Sequence, residues 1–441
     1  MIDYSDGYFS TEQLDDLWAD LDLSGNETTL IITSPRPESI IASSLICRSY
    51  LKNHTPFTLT YAEPISDVTS IADISQELGA SLTVVMGTEI HGSLGDSDCR
   101  YIFLGCDTSS DFSSKCLGSI ESLASVSCAF ADKIVSLNRW HIQLAAAVAL
   151  VQKWRDLTPS TKSNKILQIA LDEGILEQRK GLRLFGINHL SARDILQYSI
   201  YPYLPGLTGV AESCEKLIAD ANIPLSKRGE PIISLSNDEK ERINEILIRN
   251  LPLKFIKEAF GKDYIFLHED EDTPVRFISS LLPLLKTCWK ILELGIAASV
   301  CIGDRSRLLH SLIESHIEIC KTTTSGFHLL TKKADEGKLE SKDNCVIVRD
   351  LGVEPTVLAD IGRIAFDAGL FEPNHFLLLV SDCHTELVWD REVYTLNAIL
   401  ATLRDVKFRI KSTSPYSLRL FGGVDPSQIA ELLHNEIGNT S

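Results

Sequence analysis

Leu30-Ile31-Ile32-Thr33-Ser34-Pro35-Arg36-Pro37-Glu38-Ser39 runs from an apolar strand into a short polar loop, and Ile40 to Tyr50 continues as a partly buried helix. A strand–loop–helix of this kind is where α/β folds place phosphate or metal sites, at the carboxyl end of a sheet. Hard divalent cations need clustered carboxylates or imidazoles. This loop offers two prolines, one arginine and one glutamate. The pattern that builds the fold is intact, while the chemistry that would hold a metal is missing.

Outward from this unit, strands and helices alternate. Ser10-Thr11-Glu12-Gln13 reads as a capping box opening a helix to Leu21. Strands are expected at Phe57 to Tyr61, Leu82 to Met86 and Tyr101 to Leu104. Helices are expected at Ser70 to Leu78 (stopped by Gly79), Ile120 to Val135 and Ile142 to Arg155. Such alternation implies an α/β fold with a mostly parallel sheet. From Ser160 the pattern turns mainly helical, with helices at Asn164 to Glu173, from Ser236 (a second capping box, with Glu239) to Leu251, at Val275 to Leu294, and at Ser306 to Cys320. A short strand is expected at Ala298 to Ile302. A second, smaller α/β domain follows, with strands at Asn344 to Val348, His375 to Val380, Glu386 to Trp389 and Val406 to Ser412, and helices at Thr356 to Ala368 and Pro426 to Glu436. The expected division is 1–205 for the parallel-sheet domain, 206–260 for a mainly helical insertion, 261–325 for the rest of the first core with a connecting helix, and 326–441 for the C-terminal domain.

The 441 residues exceed what one core usually holds. A 44% hydrophobic fraction describes a globular chain. The longest apolar run, Leu144 to Val151, is too short to cross a bilayer, and the acidic start Met1 to Asp6 lacks the pattern of a signal peptide. A cytoplasmic protein without membrane contact is expected. Eleven cysteines without a CxxC pair read as buried thiols; Cys99, Cys106, Cys116 and Cys128 fit no zinc spacing. The net charge of −18 opposes unspecific nucleic-acid binding, which basic groups drive.

The other candidates each have a structural alternative. Lys407, Arg409 and Lys411 alternate with apolar residues, placing three cations on one strand face; they are candidate contacts to DNA or a partner, or a charged edge that discourages strand pairing. Arg179, Lys180 and Arg183 read as a solvated helix end or turn. His268-Glu269-Asp270-Glu271-Asp272 reads as a solvated acidic loop, lacking the spacing of a calcium loop. His310 and His316 do not share a helix face. Cys383-His384 has no third ligand nearby in sequence. Catalytic-triad, Walker and GxGxxG patterns are absent from the sequence.

Together these stretches resemble the DHH phosphoesterase superfamily, and within it the archaeal RecJ-like nucleases associated with the GINS replication complex. Leu30 to Ile46 resembles the family's first motif. Glu173-Gly174-Ile175-Leu176-Glu177, Gly181 to Gly186, and Tyr201-Pro202-Tyr203-Leu204-Pro205-Gly206-Leu207-Thr208-Gly209 form the most specific block. Pro274-Val275-Arg276, Leu281 to Lys290, and Val300 to Arg305 resemble its later helix and strand. Active members hold two divalent cations, usually manganese. The resemblance places the first-motif ligands on Ser34, Arg36 and Glu38, the second-motif aspartate on Gly87, the Asp-His-His triplet around Asp107 and Thr108, and the fourth-motif aspartate on Gln152. An ion pair of Arg36 with Glu38 or Asp107 would then replace the metals. Of the family's glycine-rich GGGH-type motif only Gly422-Gly423-Val424-Asp425 remains, and Asp425 reads as the cap of the helix from Pro426. The resemblance implies a DHH-like fold without metal, cofactor or catalytic residue, like the replicative-helicase subunit Cdc-forty-five. The implied role is a chromosome-associated scaffold joining GINS and MCM, with single-stranded DNA as a further contact inside the complex. A manganese-dependent single-strand exonuclease or phosphodiesterase with a divergent site, and a nucleotide or anion sensor, are the alternatives.

Overall fold

The structure is a computed structural model and describes residues 9–19, 28–93, 99–108, 116–156, 165–403, 409–422 and 425–437. The chain divides into two compact units, one of residues 1–183 and 261–313, the other of 184–260 and 314–441. Residues 184–205, expected with the parallel-sheet domain, thus group with the helical segment and the C-terminal domain.

In the first unit, α1 (Thr11–Ala19) starts at the anticipated capping box: Gln13 N–H donates to Ser10 Oγ at 3.1 Å, and Ser10 N–H to Gln13 Oε1 at 2.8 Å. The sheet is parallel, in the order β2 (Phe57–Tyr61), β1 (Thr29–Thr33), β4 (Leu82–Met86), β6 (Arg100–Leu104), β8 (Cys116–Leu117). β1 and β4 are buried along their whole length, as central strands covered on both faces must be. Alternate residues Leu30, Ile32, Val85, Tyr101 and Phe103 face one way and pack with Val68 and Ile71 of α3 (Val68–Glu77). The other face meets α2 (Pro37–Lys52), which also packs against α4 (Leu123–Ile134), α5 (Arg139–Asp156) and α12 (Leu294–Ile302). Beyond the carboxyl ends of β2, β4 and β6, the chain forms a second small parallel sheet, β3 (Ile65–Asp67), β5 (Glu89–His91) and β7 (Asp107–Thr108). α6 (Lys165–Asp172), the pair β9 (Leu176–Leu182) and β10 (Phe260–Phe266), and α11 (Ile278–Lys290) complete this unit.

Two segments differ from the sequence expectation. Ala298 to Ile302 is the end of helix α12, not a strand. A short run that is apolar on all sides is ambiguous between a buried strand and a buried helix; here Leu294 and two alanines favour the helix, and packing on α2 and α11 fixes it. Arg179 and Lys180 lie on strand β9 rather than at a helix end: Arg179 Nη2 pairs with buried Asp263 at 3.2 Å and the guanidinium lies 4.6 Å from the Phe277 ring centroid.

The second unit begins with α7 (Ala192–Gln197), α8 (Ala211–Asp220), α9 (Asn237–Asn250) and α10 (Leu253–Ala259). α9 carries the anticipated capping box, with Glu239 N–H to Ser236 Oγ at 3.3 Å and Ser236 N–H to Glu239 Oε2 at 2.8 Å. α13 (Arg307–Asp335) begins in the first unit and extends fifteen residues beyond the expected Cys320. A six-stranded mixed sheet follows, ordered β11 (Glu340–Lys342), β12 (Cys345–Arg349), β13 (Phe376–Val380), β14 (His384–Trp389), β16 (Ser417–Phe421), β15 (Arg409–Ser414), with α14 (Leu358–Asp367) packed against β14 and α15 (Leu396–Thr402) against α16 (Pro426–Ile437). Of its strands, β11 and β16 escaped the sequence reading: Glu340 to Lys342 lies in a polar run, and Ser417 to Phe421 is short and holds Arg419 at its centre.

Candidate functional site: the carboxyl end of the parallel sheet

Five strand ends are stitched together by four backbone hydrogen bonds where a metal centre would lie. Ala62 N–H donates to Thr33 O (3.0 Å), Ser34 N–H to Met86 O (3.3 Å), Gly87 N–H to Leu104 O (3.2 Å) and Gly105 N–H to Leu117 O (2.9 Å). Side chains close the same region. Ser39, in the first turn of α2, receives a hydrogen bond from Ser34 Oγ at 2.9 Å and donates to Gly87 O at 3.2 Å, while Thr33 Oγ1 donates to Ser39 O at 3.1 Å. Thr33, Ser34 and Ser39 are all fully buried. Gly87 has φ +61°, and a Cβ placed on it would overlap the Ser39 hydroxyl and stand 2.9 Å from Ser39 Cβ and 3.2 Å from Leu123 Cδ2. No side chain fits there without displacing its neighbours.

Two of the remaining expected positions converge on the backbone of one residue, Ile120, instead of on an ion. Asp107 is exposed, and its Oδ1 accepts from Ile120 N–H at 3.1 Å; Gln152 Nε2 donates to Ile120 O at 2.6 Å. The 3₁₀ turn at Ile120–Ser122, which leads into α4, is therefore held from both sides. Thr108 Oγ1 lies 3.6 Å from Cys116 Sγ. Arg36 is the half-buried N-cap residue of α2, in extended conformation, with Pro37 at the first helical position; Glu38 is buried in the first helical turn, where a carboxylate suits the helix dipole. The structure therefore joins Ser34 to Gly87 through Ser39, and Asp107 to Gln152 through Ile120.

No protein-family model matches the sequence, and no curated protein does. Among solved structures, CDC45 from Entamoeba histolytica superposes with a TM-score of 0.63 at 13% identity, over 97% of this chain and 99% of that one. RecJ from Thermus thermophilus in complex with Mn²⁺ gives 0.50 at 12% identity, over 97% of this chain and 54% of RecJ, so the chain spans about half of RecJ's length. The chain has a RecJ/DHH-like fold.

Two manganese ions in a RecJ/DHH-like unit would need several anionic ligands converging at these strand ends. The residues present do not fit them: among the described residues no group of three or more His, Cys, Asp or Glu could hold a metal ion. Gly87 is sterically sealed, and Asp107 is engaged with a backbone amide.

Elsewhere, the acidic run 268–272 is not wholly solvated. Glu269 is buried and forms a bidentate ion pair with Arg305 (2.8 and 2.5 Å) while accepting from Gln143 at 3.2 Å. This pair was hidden because its partner lies thirty-six residues away. Asp425 caps α16 as anticipated, accepting from Ser427 N–H at 3.0 Å; Gly423 lies outside the described residues. Arg409 and Lys411 sit on β15, the edge strand of the second unit's sheet, with Arg409 lying 5.8 Å from the Phe421 ring centroid. Lys407 lies outside the described residues.

Proposed function

We propose that this chain is a catalytically inactive RecJ-like scaffold subunit of an archaeal replicative helicase, joining GINS and MCM in DNA replication. The observation carrying this reading is the closure of the strand ends: Ser39 fills the space that a second-motif aspartate at position 87 would need. Phosphodiester hydrolysis by two cations rests on a metal-activated water and a charge clamp, and this geometry supports neither. The overlap with CDC45 along nearly its whole length favours a scaffold over a truncated nuclease. In this reading the protein is chromosome-associated in the cytoplasm, and any contact with single-stranded DNA is local, since −18 net charges oppose a general nucleic-acid affinity. Among the described residues no helix is long and apolar enough to cross a membrane.

The deciding experiment mixes the purified chain with GINS and MCM from the same organism and follows co-elution at moderate salt. A stable complex, through an interface of about 800 Å² per partner, supports the scaffold. Absence of a complex with all partners folded, together with manganese-dependent degradation of single-stranded DNA that Glu38→Ala abolishes, would establish the exonuclease instead.

A further inference from the structure

A second cluster lies at the other end of the first unit. α2 starts at the carboxyl end of β1 and runs back across the sheet for about 24 Å at 1.5 Å per residue, so Arg48 and Lys52 in its last turns stand at the amino-terminal end. There the Arg48 guanidinium lies 4.8 Å from the centroid of the Trp140 ring, and that of Arg305 lies 5.3 Å from it. Arg48 Nη1 donates to Ile302 O, Trp140 Nε1 to Cys301 O at 3.3 Å, and Lys52 Nζ to Ser136 O at 2.9 Å in the turn that leads into Arg139 and Trp140. These contacts fix four side chains from three segments in one place.

The charges there are unbalanced. Arg305 is neutralised by Glu269, and Asp304 is occupied by Ser306 N–H and Oγ, both at 3.0 Å. Arg48, Lys52 and Arg139 pair with no carboxylate among the described residues; Lys52 and Arg139 are exposed and Arg48 is half-exposed. Burial lowers the Arg48 pKa, and repulsion from Arg305 adds to this. In a chain carrying −18 charges, Arg48 and Lys52, both held by backbone contacts, together with exposed Arg139 at the start of α5, form a local site for anions.

We propose that this end of the first unit docks an acidic peptide segment of a partner protein, whose carboxylates pair with Arg48, Lys52 and Arg139. Single-stranded nucleic acid fits less well, because it binds by stacking bases on aromatic faces and the Trp140 ring is already covered by guanidinium groups. Guanidinium forks suit carboxylates, and Arg48 keeps donors beyond the one bonded to Ile302 O. The inference is independent of the helicase reading.

The test measures fluorescence anisotropy of the full chain with a labelled peptide of alternating Asp and Glu, and with a labelled oligothymidine of equal formal charge. Peptide binding that is stronger than oligothymidine binding, and that weakens about fivefold for each of Lys52→Gln and Arg139→Gln, is the expected result. Both variants are surface changes that should leave the melting temperature unchanged, and Arg48→Gln serves as a third. Peptide affinity indifferent to Lys52→Gln and Arg139→Gln, no binding at low ionic strength, or preferential oligothymidine binding would each overturn the proposal.

Discussion

Ser39 and Gly87 occupy one another's space: the serine hydroxyl donates to the glycine carbonyl at 3.2 Å and stands where any side chain at position 87 would begin. Placing a carboxylate at this position by Gly87→Asp should therefore destabilise the first unit and fail to create a manganese site. A left-handed backbone costs a non-glycine residue about 1–2 kcal/mol, and forcing atoms into a packed core adds about 1–3 kcal/mol. Urea unfolding should show a loss of about 2–5 kcal/mol. A variant as stable as the parent would show that Ser39 moves aside easily.

Asp107 and Gln152 hold the backbone N–H and the backbone carbonyl of Ile120. Asp107→Ala should cost about 1 kcal/mol, the usual value for a lost side-chain cap, and Asp107→Asn should retain most of it. Gln152→Asp, which puts a carboxylate at this strand-end cleft, should leave the Ile120 carbonyl without its donor and lower stability by about 1–3 kcal/mol. Manganese titration followed by thermal shift should raise the melting temperature of none of these variants. A rise on Gln152→Asp alone would mean that the cleft is one ligand short of a metal site.

Much of this was legible in the sequence, and what was not has identifiable causes. The run Leu30 to Ser39 disclosed a strand and a loop leading into a helix because burial on both faces leaves an uninterrupted apolar signature, but the helix starts at Pro37, three residues before the expected Ile40, since proline is tolerated at the first helical position. Both capping boxes were legible because they are local, three residues wide. Ala298 to Ile302 was misread because a helix that is apolar almost all round shows no periodicity. The closure of the cleft could be sensed only as missing ligands: that Ser39 fills the space at Gly87 depends on residues forty-eight apart. The Glu269–Arg305 pair and the Trp140 cluster were invisible for the same reason.

Arg363 is the central cation of the second unit and should not tolerate lysine. Its Nη1 pairs with Asp367 at 2.7 Å, its Nη2 donates to Ile200 O at 2.6 Å, and its guanidinium lies 4.4 Å from the Tyr201 ring centroid, with only 8% of the residue exposed. Tyr201 in turn hydrogen-bonds Asp360. Lysine keeps the charge but loses the planar fork and the stacking. Arg363→Lys should lower stability by about 2–4 kcal/mol, and Arg363→Ala by about 3–5 kcal/mol through the carboxylate left behind. The loss should appear in hydrogen exchange across 192–220 and 358–389 and not in β1 or β4. Equal stability of the lysine variant would show that charge alone matters.

Mild acid should weaken the fold through two buried histidines. Burial, with Arg48 and Lys52 adding to it, lowers the pKa of His141 from 6.5 to about 4, and burial with Arg419 does the same for His384. An unfolded imidazole takes its proton near 6.5, whereas the folded one takes it only near 4. Between these values the unfolded state binds more protons, so stability is full above about pH 7 and falls as pH drops toward about 4. Each histidine should remove about 1 kcal/mol between about pH 7 and about pH 5.5, before most carboxylates titrate. Comparing urea unfolding at those two pH values separates this from any fixed cost of mutation: His141→Gln and His384→Gln should each reduce the pH-dependent loss by about 1 kcal/mol, whatever they do to stability at neutral pH. A pH dependence unchanged in both variants would mean that neither histidine is held neutral by the fold.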